Sequence, residues 1–198
     1  MKRTLFNWIL FPTAAAFGGE QMTVAICNIG DLPTRAIEHA EAEAAYVFQT
    51  MGVEIHWTSC GAELDAQNTE MRPDFIVRVR VGGQIKKTGA ASLESIGRAF
   101  LNVDGAGYMA DVYYGAIQQL AARYPIADDD QVLGCTMVHE LGHLLIGAGH
   151  RPNGIMRAAW SKGELGAIRQ RHLKFNDAER SIILRNLKSR MTPSPVRK

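Results

Sequence analysis

The sequence has no run of basic residues and only a small net charge. Its 22 Lys and Arg side chains against 20 Asp and Glu side chains leave a formal charge of +2 at pH 7. Proteins that bind nucleic acids cluster their basic residues on one face or along one helix. The scattered basic residues here indicate a solvated surface instead, and we expect no nucleic-acid partner.

Long apolar runs are absent after Gly19, where no stretch approaches the roughly 20 residues of a membrane-spanning helix. The N-terminal segment is different, because a basic pair precedes a short apolar run over residues 5–11 and small residues follow. This order is similar to that of a secretory signal peptide cleaved between Ala16 and Gly19. We therefore expect residues 1–19 to direct export of a secreted or periplasmic protein. The alternative is a segment that packs on the domain.

Cysteine is scarce, and an odd number of cysteines cannot all pair. Of the three, Cys27 falls in the first predicted strand and Cys60 directly after the second, so these two are candidates for a disulfide. An exported protein would permit that bridge. Three free thiols are the alternative. Cys135 is interpreted as a small buried apolar side chain.

No internal repeat and no second domain are visible. With 198 residues, 46% of them hydrophobic and 21% charged, the composition is that of one globular domain. We assign this domain to residues 20–190 and expect a monomer. Residues 191–198 are polar and contain prolines, which predicts a disordered tail.

Apolar periodicity predicts alternating strands and helices. The predicted strands cover residues 23–29, 53–58, 75–81, 96–103 and 108–114. Four helices are predicted. The first runs from Pro33 to Gly52, the second covers residues 116–124, the third is a long helix after Asp128, and the fourth begins at a capping box at residues 176–179. The first strand, helix and second strand form a β-α-β unit, which implies a parallel pair.

The long helix carries the motif His139-Glu140-Leu141-Gly142-His143. At about 100° per residue, His139 and His143 lie about 40° apart on one face, so both imidazoles can bind one metal ion. Asp128–Asp130 supplies an N-cap and acidic residues for the first turn. The apolar residues cluster opposite the histidines and comprise Leu133, Met137, Val138, Leu141, Leu144 and Leu145. One side of this helix is therefore predicted to face the core and the other the metal.

A third ligand must come from beyond the helix, because the side chains of its next turn no longer point towards the ion. Gly147 and Gly149 can adopt positive φ, so the chain can stop the helix and return His150 to the ion. Three protein ligands with an open fourth position are typical of catalytic zinc. Glu164 is the alternative third ligand, although the glycines around it make residues 161–166 a poor helix interior.

These residues resemble the motif of the metzincin clan of zinc endopeptidases, in matrixin- or archaemetzincin-like form. The resemblance covers the HExxH motif, Gly147, His150 and the Gly154–Met156 turn. It implies one Zn²⁺ per chain bound by His139, His143 and His150, with Glu140 as general base and Met156 as the methionine of the turn beneath the metal. Three residues, 144–146, separate the second histidine from the glycine where the clan has two, so His150 comes one residue late.

The resemblance also implies an α+β or α/β zincin fold. We expect a twisted mixed sheet with an antiparallel edge strand, the zinc helix, the methionine turn and a C-terminal helix. The upper subdomain would extend to about residue 147 and the lower one over residues 148–190. The edge strand that binds the substrate backbone would comprise Gly97, Arg98, Ala99, Phe100 and Leu101.

The implied activity is zinc-dependent cleavage of a peptide or protein substrate. A gluzincin peptidase of the thermolysin type, with Glu164 as the third zinc ligand, is one alternative. A zinc-stabilised interaction module without activity is another, because no tyrosine follows Met156 where some metzincins have one. Glu140 argues against that module, since a structural zinc has no use for this carboxylate.

Overall fold

The computed structural model describes residues 19–60, 72–82, 91–92 and 96–191. The predicted signal peptide, except Gly19, and the predicted tail, except Met191, lie outside these residues. Among the residues described, no helix is both long enough and apolar enough to cross a bilayer.

The described residues form seven strands, five of them in one sheet. In chain order they are β1 (Glu20–Asn28), β2 (Val53–Ser59), β3 (Phe75–Arg80), β4 (Ala91–Ser92), β5 (Gly97–Leu101), β6 (Gly107–Tyr113) and β7 (Ala159–Trp160). The large sheet has the order β2-β1-β3-β6-β5, and β4 pairs with β7 separately. Neighbours in the large sheet are parallel except β5, which pairs antiparallel with β6 at one edge. The predicted mixed sheet with an antiparallel edge strand is confirmed.

The described helices follow the predicted order, with one addition. They are α1 (Thr34–Gln49), α2 (Tyr114–Arg123), α3 (Asp129–Ile146), α4 (Lys162–Arg169) and α5 (Asp177–Met191). The interpretation of residues 161–166 as a poor helix interior was wrong. Ser161 and Glu164 form a capping box, and Leu165 and Ile168 are fully buried, so capping and packing outweigh the glycines of α4.

The α3 helix lies at the centre of the domain rather than at its surface. It packs against β5 and β6 of the sheet and against α1, α2 and α5. All residues from Val132 to Leu145 are buried, including the two histidines. The predicted core face is therefore wider than expected, because neighbouring elements also bury the helix around the side that carries the histidines.

The β1–β2 pair also holds a disulfide. Its register aligns Ile26 with Ser59, so the next residues, Cys27 and Cys60, lie side by side and are bonded. The bridge links the carboxyl ends of the two parallel strands. Cys135 is a buried free thiol in α3, as its interpretation as an apolar side chain predicted.

Candidate metal centre and active site

Glycines end α3 and turn the chain back towards it. The helix continues through Ile146, and the N–H of Gly147 donates to the carbonyl of His143. Gly147 and Gly149 have φ of 100° and 99°, values that side chains disfavour. The additional residue before Gly147 is thus accommodated as helix, and the glycine loop returns His150 to the imidazoles of α3.

Three imidazoles converge at this point. One ring nitrogen each of His139, His143 and His150 lies within 4.8 Å of the others. The Nε2 atoms of His139 and His143 are 3.1 Å apart. The ring of His150 stacks on that of His139, with centroids 5.4 Å apart, and is nearly perpendicular to that of His143.

Hydrogen bonds from Nδ1 of His139 and of His143 to backbone carbonyls fix the tautomers of these two rings. Nδ1 of His139 lies 2.7 Å from the carbonyl oxygen of Ile155, and Nδ1 of His143 lies 3.2 Å from that of Gly147. A carbonyl only accepts, so in neutral rings each Nδ1 carries the proton and each Nε2 presents a lone pair. Burial keeps the rings neutral, because it lowers the pKa of His139 to about 3 and lowers that of His143 as well.

This donor set fits a zinc ion. Two lone pairs that face each other at 3.1 Å repel unless a cation lies between them. Neutral imidazoles whose second nitrogen donates to a carbonyl are the usual zinc ligands, and three such ligands leave a position open.

Glu140 lies beside the imidazoles and is 2% exposed. The N–H of Ala99 in β5 hydrogen-bonds to its carboxylate, but burial has the larger effect and raises the pKa of Glu140 to about 8. A Cβ on Gly97 would lie 2.8 Å from both Cγ and Cδ of Glu140 and closer still to Oε1. The missing side chain of Gly97 therefore makes room for this carboxylate.

A cavity of about 450 Å³, termed the cleft below, connects these groups. One wall is the edge strand β5, and the floor consists of the α3 residues and the glycine loop. The lining residues are Gly97, Arg98, Ala99, Leu101, His139, Glu140, His143, Ala148, Gly149 and His150. Of the five residues proposed for substrate binding, only Phe100 does not line the cleft.

Met156 packs against α3 at Gly142, which lies between the two histidines in sequence. It is 1% exposed, and a Cβ on Gly142 would lie 2.5 Å from its sulfur. Gly154, with φ of 80°, and the hydrogen bond from Arg151 N–H to the carbonyl of Met156 shape the turn that carries it.

Glu164 lies outside the imidazole group. Its carboxylate accepts hydrogen bonds from the N–H and the hydroxyl of Ser161, at 2.7 and 2.6 Å, and pairs with Arg157. These partners lower the pKa of Glu164 although its partial burial acts in the opposite direction. Both oxygens are thus engaged, one by the N-cap Ser161 and the other by Arg157.

Sequence reasoning missed the residues of α5 that hold the site in place. Asn186 donates to the carbonyl of Leu145 at 2.7 Å, which caps the C-terminal end of α3. Glu179 is 1% exposed, caps α5 through the N–H of Asn176, and lies 4.0 Å from the guanidinium of Arg151, next to His150. The capping box at residues 176–179 was predictable, but these long-range partners have no local sequence signal.

Trp160 was also missed. It is fully buried, and its ring lies edge-on to that of His139, with centroids 6.1 Å apart. It occupies the stretch after Met156 in which the sequence contains no tyrosine, and it packs behind a candidate ligand.

Sequence comparison identified no relative, since no protein-family model and no curated protein matches the chain. Solved structures do match. The crystal structure of archaemetzincin from Methanopyrus kandleri has a TM-score of 0.52 and 18% identity over 86% of this chain and 98% of that chain. Metalloproteinase-II from Bacteroides fragilis has a TM-score of 0.50 and 12% identity over 88% of this chain and 55% of that chain. At such identities the likeness concerns the fold, and the predicted zincin fold is confirmed.

Proposed function

We propose that this chain is a zinc-dependent endopeptidase of metzincin type. The observation that carries the proposal is the meeting of two proton-free Nε2 atoms, 3.1 Å apart, with a third imidazole and a buried carboxylate in one cleft. The similar structures are named as an archaemetzincin and a metalloproteinase, which supports a peptide or protein as substrate.

One zinc ion per chain would be held by His139 and His143 through Nε2 and by His150. When bound, zinc supplies Lewis acidity, which brings the pKa of a water in its open position towards 7 and polarises a carbonyl oxygen. The carbonyls of Ile155 and Gly147 keep the α3 imidazoles in the tautomer that this binding requires. Glu164 is the weaker candidate for the third ligand, because Ser161 and Arg157 engage it.

Glu140 is proposed as the general base. Its carboxylate removes a proton from the water that attacks the scissile carbonyl, and the same carboxyl then protonates the departing amide nitrogen, so that one proton is taken and returned. In the metal-free protein burial raises the pKa of Glu140 to about 8, and a zinc dication beside it would lower this pKa towards neutrality, which suits a group that must both accept and donate a proton. The Ala99 N–H orients the carboxylate between β5 and the imidazoles.

The peptide is proposed to bind along β5. Among the described strands β5 is at the edge of the sheet, where β6 is its partner. Apart from the Ala99 N–H, which Glu140 engages, its other side can offer backbone groups to an extended segment. Gly97, Arg98, Ala99 and Leu101 of β5 line the cleft, which supports a peptide that crosses the site beside Glu140. We expect Met156 to support α3 from below by packing, without binding the metal.

A zinc-stabilised interaction module is the second candidate. The observation in its favour is that no described residue lining the cleft carries a hydroxyl that could donate to the developing oxyanion. Zinc and backbone N–H groups can serve that purpose, so the endopeptidase remains the preferred proposal.

The test combines zinc stoichiometry with cleavage of casein and of a diverse peptide library. Glu140→Ala and Glu140→Gln should keep the zinc and the fold. General-base catalysis contributes about 10²–10⁴-fold, so hydrolysis should fall by at least about 10²-fold in both variants. If fully zinc-loaded wild type cleaves no peptide, the interaction module is the better description.

We further propose that residues 1–19 direct export. The Cys27–Cys60 disulfide supports an oxidising compartment. N-terminal sequencing of protein from a periplasmic or secreted fraction should then give a start between Phe17 and Gln21. Folded cytosolic protein with an intact Met1 and reduced cysteines would contradict export without affecting the proposed catalysis.

A further inference from the structure

The side of the sheet that faces away from α3 carries arginines next to the cleft. Gly97 faces α3, because an added Cβ there would contact Glu140, so the alternation of a strand turns its neighbour Arg98 to the opposite side. Phe100 follows on the same side. The guanidinium carbons of Arg98 and of Arg78 in β3 each lie 5.5 Å from the centre of the Phe100 ring.

Among the described residues on this surface, positive charges outnumber negative ones. Asp111 of β6 is 3% exposed, and its carboxylate accepts from Nε of Arg78 at 2.5 Å and from Nη1 of Arg80 at 3.2 Å. Arg98 lies opposite Asp111 in the β5–β6 register, yet within the described part of the chain no carboxylate is within ion-pair distance of it. Among the described residues, two guanidiniums thus share one buried carboxylate, and the exposed Arg98 has the face of Phe100 as its partner.

A peptide strand added to the free edge of β5 would meet this surface. In paired strands, side chains directly opposite each other lie on the same face of the sheet. The peptide residue opposite Arg98 would therefore extend over Arg98 and away from the imidazoles. Gly97 and Ala99, on either side of Arg98, both contact Glu140. The peptide residue opposite Arg98 therefore lies close to the scissile bond.

We propose that Arg98 determines specificity by selecting an acidic side chain at this substrate position. The inference depends on the proposed binding of a peptide along β5. Arg78 supports it by adding a second positive charge over Phe100, whereas burial keeps the carboxylate of Asp111 away from the peptide. A basic side chain at the same position would meet uncompensated positive charge.

The experiment measures kcat/KM for peptides that carry Glu, Gln or Lys at each position around the scissile bond. At one position Glu should exceed Gln by about two- to five-fold, the range of an exposed ion pair, and Lys should be cleaved most slowly. Arg98→Gln should abolish the preference, Arg98→Lys should keep part of it, and Arg98→Glu should invert it. Arg35→Gln, which changes an exposed arginine of α1, is the matched control. Raising the salt to about 1 M, where the screening length is about 3 Å, should weaken the preference.

A peptide-binding measurement tests the role of Arg98 independently of the proposed peptidase activity. Fluorescence anisotropy of the same peptides on zinc-loaded Glu140→Gln reports recognition without hydrolysis. Tighter binding of the Glu peptide that is lost with Arg98→Gln supports the inference even if wild type cleaves nothing. Cleavage or binding with no acidic preference, or with a preference that Arg98→Gln leaves unchanged, overturns the inference, while cleavage itself leaves the endopeptidase proposal standing.

Discussion

Gly97→Ala tests the position of the Glu140 carboxylate without altering any ionisable group. The added methyl would lie 2.8 Å from Cγ and Cδ of Glu140, whereas carbon atoms in contact are about 3.5–4.0 Å apart. Glu140 must therefore retreat by about 1 Å. The backbone itself does not require glycine here, since Gly97 is not among the glycines with positive φ.

The cost to folding should be small and the cost to activity large. Overpacking costs about 1–3 kcal/mol, and alanine in place of glycine in a strand returns about 0.5–1 kcal/mol, which leaves about 1 kcal/mol. A misplacement of about 1 Å can lower an enzymatic rate about 10²-fold. We expect that loss in kcat/KM, with the zinc content unchanged because the three histidines are not touched.

The assay follows peptide hydrolysis, zinc content and thermal unfolding in parallel. Gly166→Ala is the control, because an added Cβ there has no neighbour within 4 Å. The double variant Gly97→Ala/Glu140→Gln should be no slower than Glu140→Gln alone, since both changes act through one carboxylate. Full activity of Gly97→Ala would refute the reasoning, and loss of zinc would show that the displacement reaches His139.

Three further predictions concern the metal centre. His150→Ala should lower zinc affinity sharply and abolish hydrolysis, whereas Glu164→Ala should leave both nearly intact; a metal titration that gave the reverse order would favour Glu164 as ligand. Met156→Leu conserves volume, so it should cost under about 1.5 kcal/mol in chemical denaturation and keep the zinc, and loss of one metal equivalent would mean that the sulfur binds it. In chelator-treated protein, the contribution of His139 to the free energy of unfolding should fall as the pH drops below about 6.5, whereas the raised pKa of Glu140 acts in the opposite direction. The reason is that burial lowers the pKa of His139 to about 3, so the unfolded chain binds protons first; His139→Asn should flatten this dependence in thermal melts at pH 5–7.

The fold was predictable wherever a local pattern decided it. The alternation of residues 75–81 predicted β3, and Asp128 predicted the start of α3, because side chains within a few residues determine these elements. The α4 helix was not predictable from propensity, since the burial of Leu165 and Ile168 that stabilises it depends on the rest of the domain. Likewise, the cap that Asn186 provides joins residues 41 apart in sequence.

The number of residues between the second and third histidines constrains the metal site less tightly than the distance between their ligand atoms. Three residues rather than two separate His143 from Gly147, and by count alone His150 would be displaced. The structure continues α3 through Ile146 and bends at Gly147 and Gly149, and the three imidazoles still converge within 4.8 Å. The physical requirement is the distance between ligand atoms, which a helix end with a glycine turn can meet at more than one loop length.

Two glycines without special φ angles explain why the centre is compact. Gly142 lies inside α3, where glycine costs about 1 kcal/mol relative to alanine. It brings the sulfur of Met156 within 2.5 Å of where a Cβ would be, on the helix turn between the two histidines. Gly97 does the same for Glu140 from the side of the sheet. Each glycine lets one side chain occupy space next to the imidazoles that a methyl group would fill. The lower helix propensity at Gly142 and the lower strand propensity at Gly97 are therefore the cost of the close approach that the candidate site needs.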